Sequence, residues 1–233
     1  DIGRAAGLAK QAGFDLICLY GAFSYLNAQF LSPFYNKRTD KYGGSLENRA
    51  RFWMESLQQI KDAVGDSCVV SSRIAAAGLS SMGITLEETL EFVRMADDLN
   101  DIWDITVGAE WEKDSGSSRF FKEGWQVEWS GKIRAATKKP IVGVARLTDA
   151  DRMAEIIRSG VWDFIGGARP RISDPFLPNK ISEGKYENIR ECTGSNICIA
   201  SMYQNQLTCI QNPTAGEEHR RGWHPEKINK ATN

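Results

Sequence analysis

Three kinds of side chain in this 233-residue sequence are able to do chemistry. The first is sulfur. Cys192, Cys198 and Cys209 lie close together, with Ser195 midway between the first two, in the pattern Cys-x2-Ser-x2-Cys-x10-Cys. A clustered, odd set of thiols in a chain without a secretory signal pattern reads as a metal site rather than a disulfide framework. On spacing alone, zinc is one occupant. The second is positive charge. Arg73, Arg146 and Arg169 each stand just past an apolar run. A guanidinium keeps its charge and presents a fork of donors to anions. Gly166-Gly167 precedes Arg169. Small residues let backbone N–H groups approach a phosphate, and an arginine adds charge, though a glycine pair also suits a plain tight turn. The third is a phenol, an indole and a carboxyl: Tyr20, Trp111 and Asp114. Indole rings wall flat or cationic ligands, but they also build cores, so the 7 tryptophans leave that choice open.

These residues need elements to position them. Residues 14–20, 69–73, 102–107, 140–145 and 162–167 are short apolar runs and predict strands. Helical patterns occupy residues 2–12, 45–64, 85–99, 125–137 and 149–159, with Thr85 and Glu88 spaced as a capping box. Apolar strands followed by helices imply a parallel sheet covered by helices. Such α/β units form either an open doubly wound sheet or part of a TIM (β/α)8 barrel. Tyr20, Arg73, Trp111 with Asp114, Arg146 and Arg169 follow all five strands. In a barrel, every strand end of that kind meets one face, whereas an open sheet gathers ligands only at a switch point. The spread over all units favours the barrel. A complete barrel has eight strands, so about the last five βα units of one are expected. Residues 1–173 are then the barrel part, and residues 174–233 an irregular extension that holds the clustered cysteines. Cys18 and Cys68 sit in strand-like runs and are expected as buried free thiols.

One stretch is more specific than any single residue. Ser32-Pro33-Phe34-Tyr35-Asn36-Lys37-Arg38-Thr39-Asp40-Lys41-Tyr42-Gly43-Gly44-Ser45-Leu46-Glu47-Asn48-Arg49 reads as a long loop entering a capped helix. Its polar residues are expected mainly to tie the loop down. It resembles the signature of the old yellow enzyme (NADH:flavin oxidoreductase) family of FMN-containing proteins. The neighbourhood from Tyr20-Gly21-Ala22-Phe23 to Arg51-Phe52-Trp53 resembles the trimethylamine dehydrogenase-like branch. So do Trp103-Asp104-Ile105-Thr106, Gly166-Gly167-Ala168-Arg169-Pro170 and Asp174-Pro175-Phe176.

The resemblance implies roles. It puts Arg73 beside the flavin pyrimidine, where a fixed positive charge stabilises the reduced ring. It puts Gly166, Gly167 and Arg169 at the FMN phosphate, with Arg146 as a second cofactor-binding candidate. Trp111 matches one wall of an aromatic bowl that holds a substrate cation. Tyr20 and Asp114 match two members of a Tyr–His–Asp group, whose histidine falls at Phe23. Cys192, Ser195, Cys198 and Cys209 match a [4Fe–4S] ligand set in which Ser195 replaces a cysteine. The occupant is then a [4Fe–4S] cluster with Ser195 or another fourth ligand, a three-iron cluster, or nothing stable. The implied activity is oxidation of a small amine, with electrons passing through the cluster to an electron-transfer flavoprotein. Alternatives are an ene-reductase of the 2,4-dienoyl-CoA reductase type and a non-catalytic remnant.

Composition sets the outer limits. The net charge of −1 gives no argument for nucleic acid or an anionic membrane surface. No apolar run approaches the roughly 20 residues that span a bilayer. The chain opens at Asp1 inside a helical pattern, which is expected of a piece of a longer cytoplasmic protein, homodimeric when whole. Alone, such a piece would expose unpaired strand edges and is expected to be unstable.

Overall fold

The computed structural model describes residues 1–109, 117–204 and 206–224. Its core is a five-stranded, all-parallel sheet in chain order. The strands are β1 (Leu16–Gly21), β2 (Val69–Ala75), β3 (Ile102–Thr106), β4 (Ile141–Gly143) and β5 (Phe164–Ile165). Helices precede and link them: α1 (Ile2–Gln11), α2 (Leu26–Leu31), α3 (Leu46–Val64), α4 (Leu86–Ala96), α5 (Val127–Ser130) and α6 (Ala150–Arg158). The expected helix over residues 125–137 is shorter: α5 passes into a 3-10 turn at Gly131–Ala135. Gly131 lies where a Cβ would stand 2.8 Å from a Val161 methyl, so close packing sets the path there.

Side chains alternate between the two faces of a strand. Leu19, Ser72, Trp103 and Ile141 share one register row, and all are buried. Helix α3 covers this face. It buries Leu46, Ala50, Trp53, Leu57, Ile60 and Val64, at the three- and four-residue spacing of one helical face. Ser45 caps it by accepting from Asn48 N, and Thr85 and Glu88 form the expected capping box on α4. Trp53 Nε1 donates to Ser72 Oγ at 3.1 Å, which satisfies the buried indole.

Two buried tryptophans press directly on strand backbone. A Cβ on Gly21 would lie 2.0 Å from Trp53 Cη2, and one on Gly143 would lie 1.9 Å from Trp162 Cε2. Neither ring can retreat, because Trp53 and Trp162 are fully buried. Gly21→Ala is therefore expected to cost about 3 kcal/mol, the upper part of the overpacking range. A drop in the denaturant midpoint of the protein would show it. Indole in this sequence is, at Trp53, Trp103 and Trp162, core material.

The other face of the sheet is not covered within the described chain. Its central row is Tyr20, Arg73, Asp104, Val142 and Phe164, one residue from each strand. Leu16, Val69 and Phe164 are 41–53% exposed on this side. Helical cover is thus one-sided, as in the outer ring of the expected TIM barrel. Cys18, between Leu16 and Tyr20 on β1, is also exposed rather than buried. Cys68 is buried as expected, its thiol donating to Phe14 O at 3.2 Å.

The chain divides into two compact units. The first holds the whole sheet. The second gathers Ser117–Trp125, Ala145–Glu155 and the residues from Gly166 onward. It contains α7 (Arg169–Ser173), α8 (Leu177–Ser182), α9 (Ile197–Met202) and α10 (Glu218–Arg221) joined by irregular segments. Fully buried Asp174 anchors it, accepting from Lys180 Nζ at 2.7 Å, Arg190 N at 2.9 Å and Phe176 N at 3.1 Å. No described helix is long and apolar enough to cross a membrane.

Candidate functional site

In the first unit, the parallel register brings Tyr20, Arg73 and Asp104 side by side. Arg73 Nη1 donates to Asp104 Oδ2 at 2.6 Å. The guanidinium carbon lies 5.9 Å from the Tyr20 ring centre and 6.0 Å from that of Phe23, within cation–π range of both. Arg73 is thus held by a carboxylate and two aromatic rings. Burial pushes the Asp104 carboxyl above its ordinary value, against the opposing pull of Arg73. Burial also raises the Tyr20 phenol, again opposed by Arg73. Tyr20 therefore stays protonated at neutral pH and can donate a hydrogen bond.

The chain after β1 is strained. Phe23 and Ser24 are consecutive non-glycine residues with φ of 53° and 59°. Two side-chain bonds hold that turn. Ser24 Oγ donates to Ala109 O at 3.0 Å, and Gln29 Nε2 donates to Ser24 O at 2.7 Å. Strain of this kind persists where the surroundings over-determine it, and it sits here beside the row of polar strand ends. Trp111 and Asp114, expected as bowl wall and acid, lie outside the described residues.

In the second unit, Arg146 and Arg169 both bond to the cysteine-bearing loop. Arg146 has φ of 58° and donates through Nη1 to Cys192 O at 3.0 Å and through Nη2 to Phe121 O at 2.9 Å. Arg169 Nη1 donates to Ser117 O and to Asn196 Oδ1, each at 2.6 Å. Burial lowers the Arg169 pKa, and neighbouring Cys192 and Cys198 oppose that. Both arginines were legible as cations past strand ends. Their shared hold on the cysteine segment was not.

Gly167 has a telling environment. A Cβ there would meet only Pro170 and Arg171, at 3.7 and 3.8 Å, which is ordinary contact. Internal packing does not require glycine at this position. Bare backbone next to the start of α7 suits the close approach of a phosphate. These residues fit an FMN phosphate.

The cysteine set fits its expected group less well. Cys198 is buried, Cys192 and Cys209 are half-buried, and Ser195 is exposed. Burial pushes the Cys198 thiol up, with Cys192 and Cys209 adding to the rise. Among the described residues, no group of three or more His, Cys, Asp or Glu side chains is arranged to hold a metal ion. A [4Fe–4S] cluster takes four thiolates, and Ser195 supplies a hydroxyl where one should stand. The set as it stands does not fit a four-thiolate cluster.

The sequence profile of the NADH:flavin oxidoreductase / NADH oxidase family matches residues 1–188. The chain is 48% identical over 230 residues to dimethylamine dehydrogenase from Hyphomicrobium sp. (strain x), covering 96% of this chain and 31% of that protein. Among solved structures, histamine dehydrogenase from Rhizobium sp. 4-9 superposes with a TM-score of 0.91 at 47% identity, over 100% of this chain and 34% of that one. The 6-hydroxypseudooxynicotine amine oxidase from Pseudomonas geniculata N1 gives 0.90 at 46%, over 100% and 35%. The chain therefore spans about a third of the length of these relatives, and its five βα units are part of a TIM barrel. With the match over residues 1–188, the chain belongs to the NADH:flavin oxidoreductase / NADH oxidase family.

Proposed function

We propose that this chain is part of an FMN-dependent oxidoreductase that oxidises a small amine. One observation carries the reading: an Arg73 guanidinium, fixed by Asp104 and two rings, near the end of an inner strand in a chain 48% identical to a dimethylamine dehydrogenase. When bound, FMN supplies the acceptor for a hydride equivalent from the substrate C–H bond. Arg73 stabilises the negative charge that reduction leaves on the pyrimidine edge. Amides of Gly166 and Gly167 and the charge of Arg169 bind the phosphate. Arg146 adds charge there while holding the cysteine segment. Tyr20 keeps its proton and orients the substrate nitrogen, and Trp111 and Asp114 complete the amine site. An electron-transfer flavoprotein is the acceptor in this reading. Cys192, Cys198 and Cys209 with Ser195 do not make the four-thiolate set that a [4Fe–4S] cluster takes.

The test is anaerobic reduction of the flavin-loaded protein by a panel of methylated and primary amines, followed by bleaching of flavin absorbance. Bleaching by a secondary or tertiary amine is expected. Bleaching by NAD(P)H and by no amine would replace this reading with an ene-reductase. A protein that holds no flavin would leave a non-catalytic scaffold.

A further inference from the structure

We infer that Asp104 is a positioning residue that sets how much positive charge Arg73 presents to the flavin. The inference rests on the FMN reading above and goes further, giving the carboxylate that fixes Arg73 an electrostatic role of its own. Asp104 occupies the middle of the open row, between Arg73 on β2 and Val142 on β4. Val142 shows that an apolar residue serves this row structurally. A carboxylate is costly by comparison. Asp104 Oδ1 is buried and has no hydrogen-bond partner among the described residues. Its other oxygen takes Arg73 Nη1 at 2.6 Å. A half-satisfied, partly buried ion pair is a poor source of stability, since desolvation cancels much of the attraction. What the pair does supply is a fixed guanidinium with part of its field cancelled.

The geometry restrains Arg73 from three sides. Asp104 holds one nitrogen, and the Tyr20 and Phe23 rings stand about 6 Å from its carbon. Phe23 is brought there by its left-handed backbone, which the Ser24–Ala109 bond helps to hold. With that orientation fixed, the net charge near the flavin pyrimidine depends on Asp104. An isolated guanidinium would favour the reduced, anionic ring strongly. A guanidinium with its carboxylate favours it less, and the flavin gives up electrons more readily.

The experiment is spectroelectrochemical measurement of the two-electron flavin midpoint potential in the flavin-loaded protein and in Asp104→Asn. Removal of the carboxylate charge is expected to shift the reduction equilibrium tenfold or more toward the reduced form, an upward move of about 30 mV or more. A merely structural aspartate would leave the potential in place. Asp104→Ser and Asp104→Ala remove the charge in other shapes, and any variant that retains flavin should move the same way. An unchanged or lowered potential in a flavin-loaded variant overturns the inference and leaves the FMN reading intact. Failure of all three variants to accumulate makes Asp104 structural and also overturns it. A wild-type protein without flavin overturns both.

Discussion

Arg73→Met is expected to slow amine-driven flavin reduction by about a hundred- to a thousandfold, the loss seen when one preorganised electrostatic donor is removed. The reason lies in what the strand supplies. Arg73 lies two residues before the end of β2, with its guanidinium already paired to Asp104 and faced by Tyr20 and Phe23. No reorganisation is needed when charge develops, so the full interaction is available in the transition state. The methionine keeps most of the packing against the two rings and removes the charge. Flavin retention should survive, because the phosphate contacts assigned to Gly166, Gly167 and Arg169 are on other residues. Arg73→Lys should recover only part of the rate, since an ammonium lacks the planar fork that engages a carboxylate and a ring edge together. Stopped-flow reduction under anaerobic conditions checks this. A methionine variant reduced within threefold of the wild-type rate would remove Arg73 from the machinery. Asp104 is left beside a neutral side chain in that variant, so the double variant Arg73→Met with Asp104→Asn is the control for an orphaned carboxylate.

Much of this arrangement was legible in the residues, and the illegible part has a physical cause. Apolar runs bounded by polar residues marked β1, β2 and β3 to within about two residues, and Thr85 with Glu88 marked the start of α4. Strong local signals produced those successes. Arg73 stood out because a charge closes an apolar run. Asp104 did not, because its meaning depends on register, and register is a property of two strands rather than one. Cys18 was misjudged for a related reason. An apolar run shows that a strand is present but not which of its two faces stays open. The joint hold of Arg146 and Arg169 on the cysteine loop draws on Ser117–Trp125, Ala145–Glu155 and the residues from Gly166 onward, three segments that no local pattern links. Gly166-Gly167 was ambiguous between turn and cradle. A Gly167 Cβ would make only ordinary contacts, so packing does not force the glycine, which favours the cradle.

The eighteen-residue signature leading into α3 belongs to folding more than to chemistry, and Arg49, in the first turn of α3, shows why. Its side chain is 6% exposed. Nε donates to Gly44 O at 3.1 Å, Nη1 donates to Leu31 O, and Nη2 meets Glu88 Oε1 at 2.6 Å. One guanidinium thus ties the end of α2, the Gly43-Gly44 turn and the first turn of α4. Glu88 has a second task, accepting from Thr85 N at 3.2 Å in the capping box. Arg49→Ala would leave two carbonyls and a carboxylate without their shared donor, in a place water reaches poorly. Breaking a buried pair from one side in this way costs about 3–5 kcal/mol. Arg49→Lys should lose nearly as much, because one ammonium cannot satisfy three acceptors spread around a planar fork. Urea denaturation of the protein measures the loss, and a double-mutant cycle with Glu88→Gln apportions it. Coupling of about 1–3 kcal/mol is expected between residues in direct contact within one network. A loss below about 1 kcal/mol in Arg49→Ala would mean that Asn36 holds the loop without it. Asn36 bridges Phe30 O and Tyr42 O through one amide nitrogen and caps Arg38 N with its oxygen. It cannot reach α4, however, so the link from loop to α4 falls to Arg49 in this arrangement.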